Sequence, residues 1–387
     1  MPGNVFGKRS STAFVQPWAA TLGVGKAIFD YYDSQGDKTL SADTVVPSLL
    51  DGPMVVRRYN NLTLDASTGN VTLTTQNRCR GLMLLIDGNL TLQRSGSYAA
   101  SISMTARGAR GHAGMGLYDM LIPDSIDLQG QGFSYADVLK RIRQKGWAVI
   151  DRWLWDEWGK IAGVTATAWT GGTVLLTASG CGGASAVNGV VSSGVGGAGP
   201  TGTAGVSGGT GGGGGGGAYH AGSFGSALAG PGAPGRPWGG GAGVGGAYDG
   251  AGNTIASYPP DQYGGPGGAG ALYSGSSGGG AGNPEGPAAG GGSAGQPGTG
   301  GSLIIVVRGN VSVAAGCVLS ANGSAGGAGS GGGGGSGGGH VSIVYGGSYT
   351  NSGTVAANGG AGGAGSYSGG AGGAGSVVTK TFTQMGW

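Results

Sequence analysis

Charge is scarce in this 387-residue chain: Asp, Glu, Lys and Arg make up 10% of it, and the net charge is +3. So thin a charge argues against a protein that holds DNA or an anionic membrane by electrostatics, and no nucleic-acid partner is expected. Cysteine is scarcer still. Cys79, Cys181 and Cys317 stand far apart with no C-x-x-C pair, which excludes a disulfide framework and a zinc knuckle and leaves ordinary core or surface thiols. The three histidines, His112, His220 and His340, lie beside or within two residues of glycine, and none has a carboxylate beside it in sequence. No Gly-Lys-Ser/Thr follows a glycine run, and the acidic residues of 115–160 form no recognisable glycosidase pair. No catalytic residue, metal ligand or cofactor is therefore assigned, and the expectation is a protein that is not an enzyme. The opening MPGNVFGKRSSTAF lacks the apolar core of a signal peptide, and no run approaches the ~20 apolar residues of a membrane span. The triplets Asn61-Leu62-Thr63 and Asn89-Leu90-Thr91 are accordingly read as strand and turn residues rather than glycan sites.

What the chain has in excess is glycine, 99 residues, about a quarter of the whole. Only 15 prolines, and runs such as 211–217 of pure glycine, break any collagen register. A flexible linker would have no need of the apolar and aromatic residues that interrupt the glycines, or of the strand-like segments between them. An internal repeat organises these segments. The stretches 82-LMLLIDGNLTL-92, 303-LIIVVRGNVSV-313 and 341-VSIVYGGSYTN-351 each hold an apolar strand, a glycine turn and a second short strand, and each is followed by a glycine-containing tract. The tracts 319-LSANGSAGGAGS-330 and 355-VAANGGAGGAGS-366 match at nine of twelve positions and start 36 residues apart. Such a unit implies stacked copies that share one core.

Polyproline II geometry offers the glycine tracts a way to fold: three residues per turn and a rise of about 3.1 Å. Without side chains several such helices lie close enough for backbone N–H and C=O groups to pair between neighbours. In 361-AGGAG-365 and 371-AGGAG-375 the alanines fall three apart, on one edge of a three-fold helix. Ordering glycine is entropically costly, so many bonds of ~1 kcal/mol each must offset it. The fold class expected is mainly β with a polyglycine II helix bundle and a small α-helical insert.

The domain reading follows. Residues 1–80 form a β-rich N-terminal region, in which 54–75 reads as a hairpin around Ser67–Asn70 and Ala19 to Tyr32 could hold a short helix. Residues 81–114 are the first strand–glycine unit. Residues 115–177 are a helical insert rich in tryptophan, with Ser134 and Asp137 as a capping box and Trp147, Trp153, Trp155 and Trp158 clustered for core packing or for docking a partner. Residues 178–300 are the glycine-rich region with aromatic loops, and 301–387 hold two strand–glycine repeats and a C-terminal strand. A glycine lattice has no room for large side chains, so those marooned in it belong on its outside or at its loops: Tyr219, His220, Phe224, Arg236, Trp238, Tyr248, Asp249, Tyr258, Asp261, Gln262, Tyr263 and Tyr273, with Tyr367 in the last tract. Aromatic residues on loops stiffened by Pro231, Pro234, Pro237, Pro259 and Pro260 suit a binding surface. Capping of the lattice by the same aromatics stays open beside that reading.

The tracts of 178–300 and 319–376, with their aromatic interruptions and flanking strands, resemble the glycine-rich adhesins at the tips of the long tail fibres of T-even-like phages. The resemblance implies parallel polyglycine II helices in a sandwich and loops that bind a host outer-membrane receptor. It would make 218-AYHAGSF-224, 236-RPW-238, 248-YD-249, 258-YPPDQY-263 and Tyr273 the receptor loops. It further implies a virion protein made in the host cytoplasm, oligomeric in the particle, whose partners are other virion proteins and a bacterial surface receptor, either outer-membrane protein or glycan, with residues 1–80 attached to the virion. A purely architectural virion protein and an ice-binding protein remain as alternatives.

Overall fold

The structure, a computed structural model, describes residue 29, residues 32–50, 54–79, 81–108, 293, 298–329, 332–365 and 368–385, and the backbone pairing of seven short strands between 169 and 249. Within the described residues the chain winds through three parallel sheets in turn and returns one layer further on. The first sheet stacks Val55–Tyr59, Leu82–Ile86, Ser302–Val307, His340–Tyr345 and Ser376–Thr381. Lys38–Leu40, Leu62–Leu64, Leu90–Leu92, Val311–Val313 and Tyr349–Asn351 stack as the second. The third holds Thr44–Val46, Val71–Thr75, Tyr98–Ser103, Val318–Ser320 and Thr354–Ala356. This is a three-faced parallel β-solenoid.

Side-chain alternation along each strand builds it. In the second sheet the flanking positions turn inward (Leu62 and Leu64, Leu90 and Leu92, Val311 and Val313) and are buried, while the central Thr63, Thr91 and Ser312 point out. Inward residues stack in register between layers: Val55, Leu82, Leu303 and Val341 form one apolar column, and Leu73, Ile102 and Leu319 another. First-sheet strands are also buried on their outer face, as at Met83, Leu85, Ile304 and Val306, which explains their unbroken apolar sequences. At the last layer Val377, in register with buried Val341, is exposed.

Two polar columns fix the register at the corner between first and second sheets. The side-chain Oδ1 of Asn61 accepts the N–H of Asn89, Asn89 that of Asn310, and Asn310 that of Ser348, at 2.8–2.9 Å. Beside them Asp87 accepts a two-pronged contact from Arg58 at 2.8 and 3.2 Å and a third bond from Arg308 at 2.6 Å. The remaining Arg58 nitrogen donates to the carbonyls of Phe29 and Tyr32, and Arg308 lies 4.2 Å over the Phe29 ring. Three layers and the N-terminal segment thus meet on one carboxylate.

The hairpin expected over 54–75 is not formed. Val55–Tyr59, Leu62–Leu64 and Val71–Thr75 belong to three different sheets, and each pairs in parallel with the following layer. Alternation and turn residues look the same in a hairpin and in a solenoid layer, and only the stacked neighbour tells them apart. Stacking of the repeat units about one core is as expected, and it extends earlier than the sequence comparison found, by the layer 55–75 and by the strands Lys38–Leu40 and Thr44–Val46 before it. Of the insert expected over 115–177 only a strand pair is described, Trp169–Thr170 antiparallel to Thr173–Val174 where helix was expected; its expected helices lie outside the described residues, as does the N-terminal helix apart from Phe29 and Tyr32. Phe382–Met385 is the one helix described along its length, entered through a reciprocal cap between Thr381 and Gln384.

After the third-sheet strand of the fourth and fifth layers, the chain leaves the solenoid as a glycine hairpin, 321–339 and then 357–375. Its limbs belong to no helix or strand, yet they are densely bonded. Gly323, Gly326 and Gly329 donate to Asn358, Ala361 and Ala364. Gly333, Ser336 and Gly339 donate to Gly327, Ser324 and Ala321, and Gly369, Gly372 and Gly375 to Gly363, Gly360 and Ala357. Every series steps by three residues and every bond joins different limbs. Burial has the same period: Ala357, Gly360 and Gly363 are buried and Asn358, Ala361 and Ala364 exposed. The limb 332–339 is buried throughout, and its one hydroxyl, on Ser336, accepts the Ser324 N–H at 2.7 Å and lies within donating reach of Gly298 O and Ser324 O.

At Gly360 and Gly372 a Cβ would run into the backbone carbonyls of Ser324 and Ser336. Replacing either by Ala is expected to destabilise the protein by about 3 kcal/mol, whereas Ala374→Ser on an exposed edge should stay within about 0.5 kcal/mol. Denaturant unfolding of the three variants checks the contrast. Asp87→Ala, which leaves two guanidiniums facing each other, is expected to cost about 2 kcal/mol in the same assay.

Candidate binding surface

Apart from a short hairpin that pairs Arg94–Ser95 with Tyr98–Ala99 between the second and third sheets, the excursions among the described residues open at one corner, between the third and first sheets. The second layer turns it briefly between Thr75 and Leu82, the fourth and fifth leave it as the glycine hairpins, and the third leaves it for the segment that carries all twelve candidate residues. The mouth of that long segment is stitched shut. Gly108 N–H donates to Thr299 O and Gly301 N–H to Met104 O, both at 2.9 Å, and Ala106 turns with a positive φ of 57°. Its returning end lies along the hairpins: Gly300 N–H donates to Gly337 O and Ser293 N–H to Ala328 O. The returning end of the long segment is thus hydrogen-bonded to the limbs of the first glycine hairpin.

Four of the candidate positions are brought together at the level of the backbone. Tyr219–Ala221 pairs in parallel with Ala247–Asp249, placing His220 opposite Tyr248 and Tyr219 opposite Ala247, and Ser193–Gly194 pairs along the other side of Tyr219–Ala221. Their side chains lie outside the described structure. So do Phe224, Arg236, Trp238, Tyr258, Asp261, Gln262, Tyr263 and Tyr273.

Two regular surfaces among the described residues were not singled out from the sequence. One is a hydroxyl column on the outer face of the second sheet: Thr39, Thr63, Thr91, Ser312 and Thr350, in register over five layers. The central residue of the triplets LTL, LTL and VSV carries the signal for it. The other is the edge of the glycine hairpins, where Asn322, Ala325 and Ala328 run beside Asn358, Ala361 and Ala364; the Asn322 side chain accepts the Asn358 N–H at 2.7 Å. Both surfaces repeat at the spacing of the layers, about 4.8 Å where strands stack.

The cysteines and the histidine whose side chains are described are buried. The Cys79 thiol donates to Gly81 O and the Cys317 thiol to Gln93 O, and burial pushes the Cys79 thiol up. His340 is wholly buried with Nδ1 2.8 Å from the Ser376 hydroxyl; burial lowers its pKa to about 4, against a smaller upward pull from Ser376. A serine–histidine pair at this distance has the geometry of a nucleophile and its base, but Ser376 is 3% exposed and its base is weakened by the same burial. The pair can tie two strands together; it presents no open face to a substrate. Among the described residues no group of three or more His, Cys, Asp or Glu is placed to hold a metal ion. No protein-family model, curated protein or solved structure matches the chain.

Proposed function

We propose that this chain is a phage virion structural protein of the tail-fibre or receptor-binding class, which attaches to the host surface by non-covalent binding through loops of its glycine-rich region. The observation that carries the reading is the shared corner. A stiff solenoid sends out three successive excursions at one place, and the longest holds the aromatic residues marooned in glycine. A rigid scaffold that presents variable loops from one side is what surface recognition requires. The glycine limbs are read as a polyglycine II bundle. Three features support this: hydrogen bonds that step by three, burial with the same period, and the absence of bonding within each described limb. In this proposal the protein is made in the host cytoplasm, is held by its N-terminal region to other virion proteins, and meets an outer-membrane protein or glycan. It acts by binding, without bond chemistry or a cofactor.

A second reading, ice binding, draws support from the hydroxyl column and the Asn/Ala/Ala edges, since ice recognition needs flat and regular faces of small residues. Thermal hysteresis in a solution of the purified chain would favour it over the adhesin.

The fluorescently labelled chain, applied to a panel of intact bacteria, is expected to bind selectively by strain. The triple variant Tyr219→Ala/Trp238→Ala/Tyr263→Ala is expected to lose at least tenfold in affinity, the size of one or two interface anchors. Equal binding by the variant would remove these loops from the site. Absence of binding to every strain by a folded chain would point to a purely architectural role.

A further inference from the structure

The first residue after each glycine return is polar and buried, and the three such residues stack. Ser302, His340 and Ser376 occupy the same register position on neighbouring first-sheet strands, on the outer face, at 0%, 0% and 3% exposure. Their backbones tie the glycine limbs to the solenoid. His340 N–H donates to Gly301 O and Ser376 N–H to Gly339 O, while Gly339 and Gly375 N–H groups donate to Ala321 and Ala357 at the roots of the outgoing limbs. The side chains hold less well. Only the Nδ1 face of the imidazole is bonded, to Ser376; His340 Nε2 and the Ser302 hydroxyl have no hydrogen-bond partner among the described residues.

No anion among the described residues of the sheet is positioned to receive a charge at His340, and the short strands Ala204–Gly205 and Gly208–Gly209, which pack against the strands of His340 and Ser376, contain no titratable residue. On its own strand Ser342 and Val344 share its face, on the neighbouring strands Ile304, Val306 and Val378, and the row continues through Gly81 to Met54. The charged groups of the sheet are Arg57, Arg58, Arg308 and Lys380, all cationic and all toward the other end of the strands, and Asp87 at that far corner is engaged by Arg58 and Arg308.

We propose that His340 is an acid-sensitive joint: proton uptake there releases the glycine hairpins from the solenoid while the solenoid stays folded. The sign follows from linkage. The imidazole is neutral while buried, with a pKa of about 4 against 6.5 in the open chain, so the closed state has its full advantage above pH 6.5 and loses it as pH falls toward 4. The opening constant should rise about twentyfold between pH 7 and pH 5. The apolar core cluster of the solenoid contains no histidine and does not share this dependence.

Amide hydrogen exchange on the full chain at pH 7 and pH 5, corrected for the chemical exchange rate, tests it. Protection at Gly335, Gly338, Gly360 and Gly372 is expected to fall about twentyfold, with Leu84, Ile305 and Ile343 unchanged. The drop should vanish in His340→Gln and persist in His112→Gln/His220→Gln. Equal loss of protection in hairpins and solenoid, no loss in either, or an undiminished drop in His340→Gln overturns the proposal. If His340→Gln does not fold, NMR titration of the wild-type imidazole decides instead: a ring that stays neutral in the closed protein at pH 5 supports the joint, and one that titrates near 6.5 while folded overturns it.

Discussion

Backbone hydrogen bonding from one layer to the next is the constraint on which the rest of this molecule depends. In the solenoid each strand satisfies its peptide groups on the strands above and below, and in the glycine hairpins each limb does so on the surrounding limbs. A buried peptide group without a partner costs more than a single bond returns. The chain must therefore hold its layers in register in both regions at once. The corner columns show how this is done. Asn61, Asn89 and Asn310 each bond one layer onward, and Asp87 draws in arginines from the layers on either side.

The two regions solve the packing problem in opposite ways. The solenoid excludes water with branched aliphatic columns such as Ile305 and Ile343. The hairpins bring backbones so close that a side chain has no room, and their limbs differ in composition according to position. The limb 332–339, surrounded on all sides, is glycine apart from one fully bonded serine, whereas 357–365 and 368–375 carry alanine on the exposed third position. Joining the two regions forces a polar row, Ser302, His340 and Ser376, into a buried seam. That seam is the least well bonded place among the described residues, and the acid response proposed for it rests on the lack of an anion beside it among those residues.

Much of this was legible in the residues. The repeated apolar strand and glycine turn pointed to stacked units, and alanine at every third place in 361–365 and 371–375 pointed to a three-fold limb with one free edge. The earlier layer was missed because 54-MVVRRYNNLTL-64 places Arg57 and Arg58 where later layers have leucine or isoleucine and valine, which weakens the likeness. The hydroxyl column was missed because a threonine at the centre of a three-residue strand is ordinary on any sheet surface; only five in register make a face. The twelve candidate residues were chosen for being large amid glycine, a signal that marks the outside of a lattice without indicating which of them stand together.

Composition and periodicity by themselves determined that this chain would be built from strands and glycine limbs, since alternation by two and by three are local properties of the backbone. They also determined the candidates for recognition, because bulky side chains cannot enter close-packed glycine. The tertiary structure alone decided which segment lies on which. The partner of Val55 is Leu82 and that of Leu82 is Leu303, across the whole long excursion. Pairing between layers depends on register and on what is stacked above, and neither is written in the local pattern of a single strand.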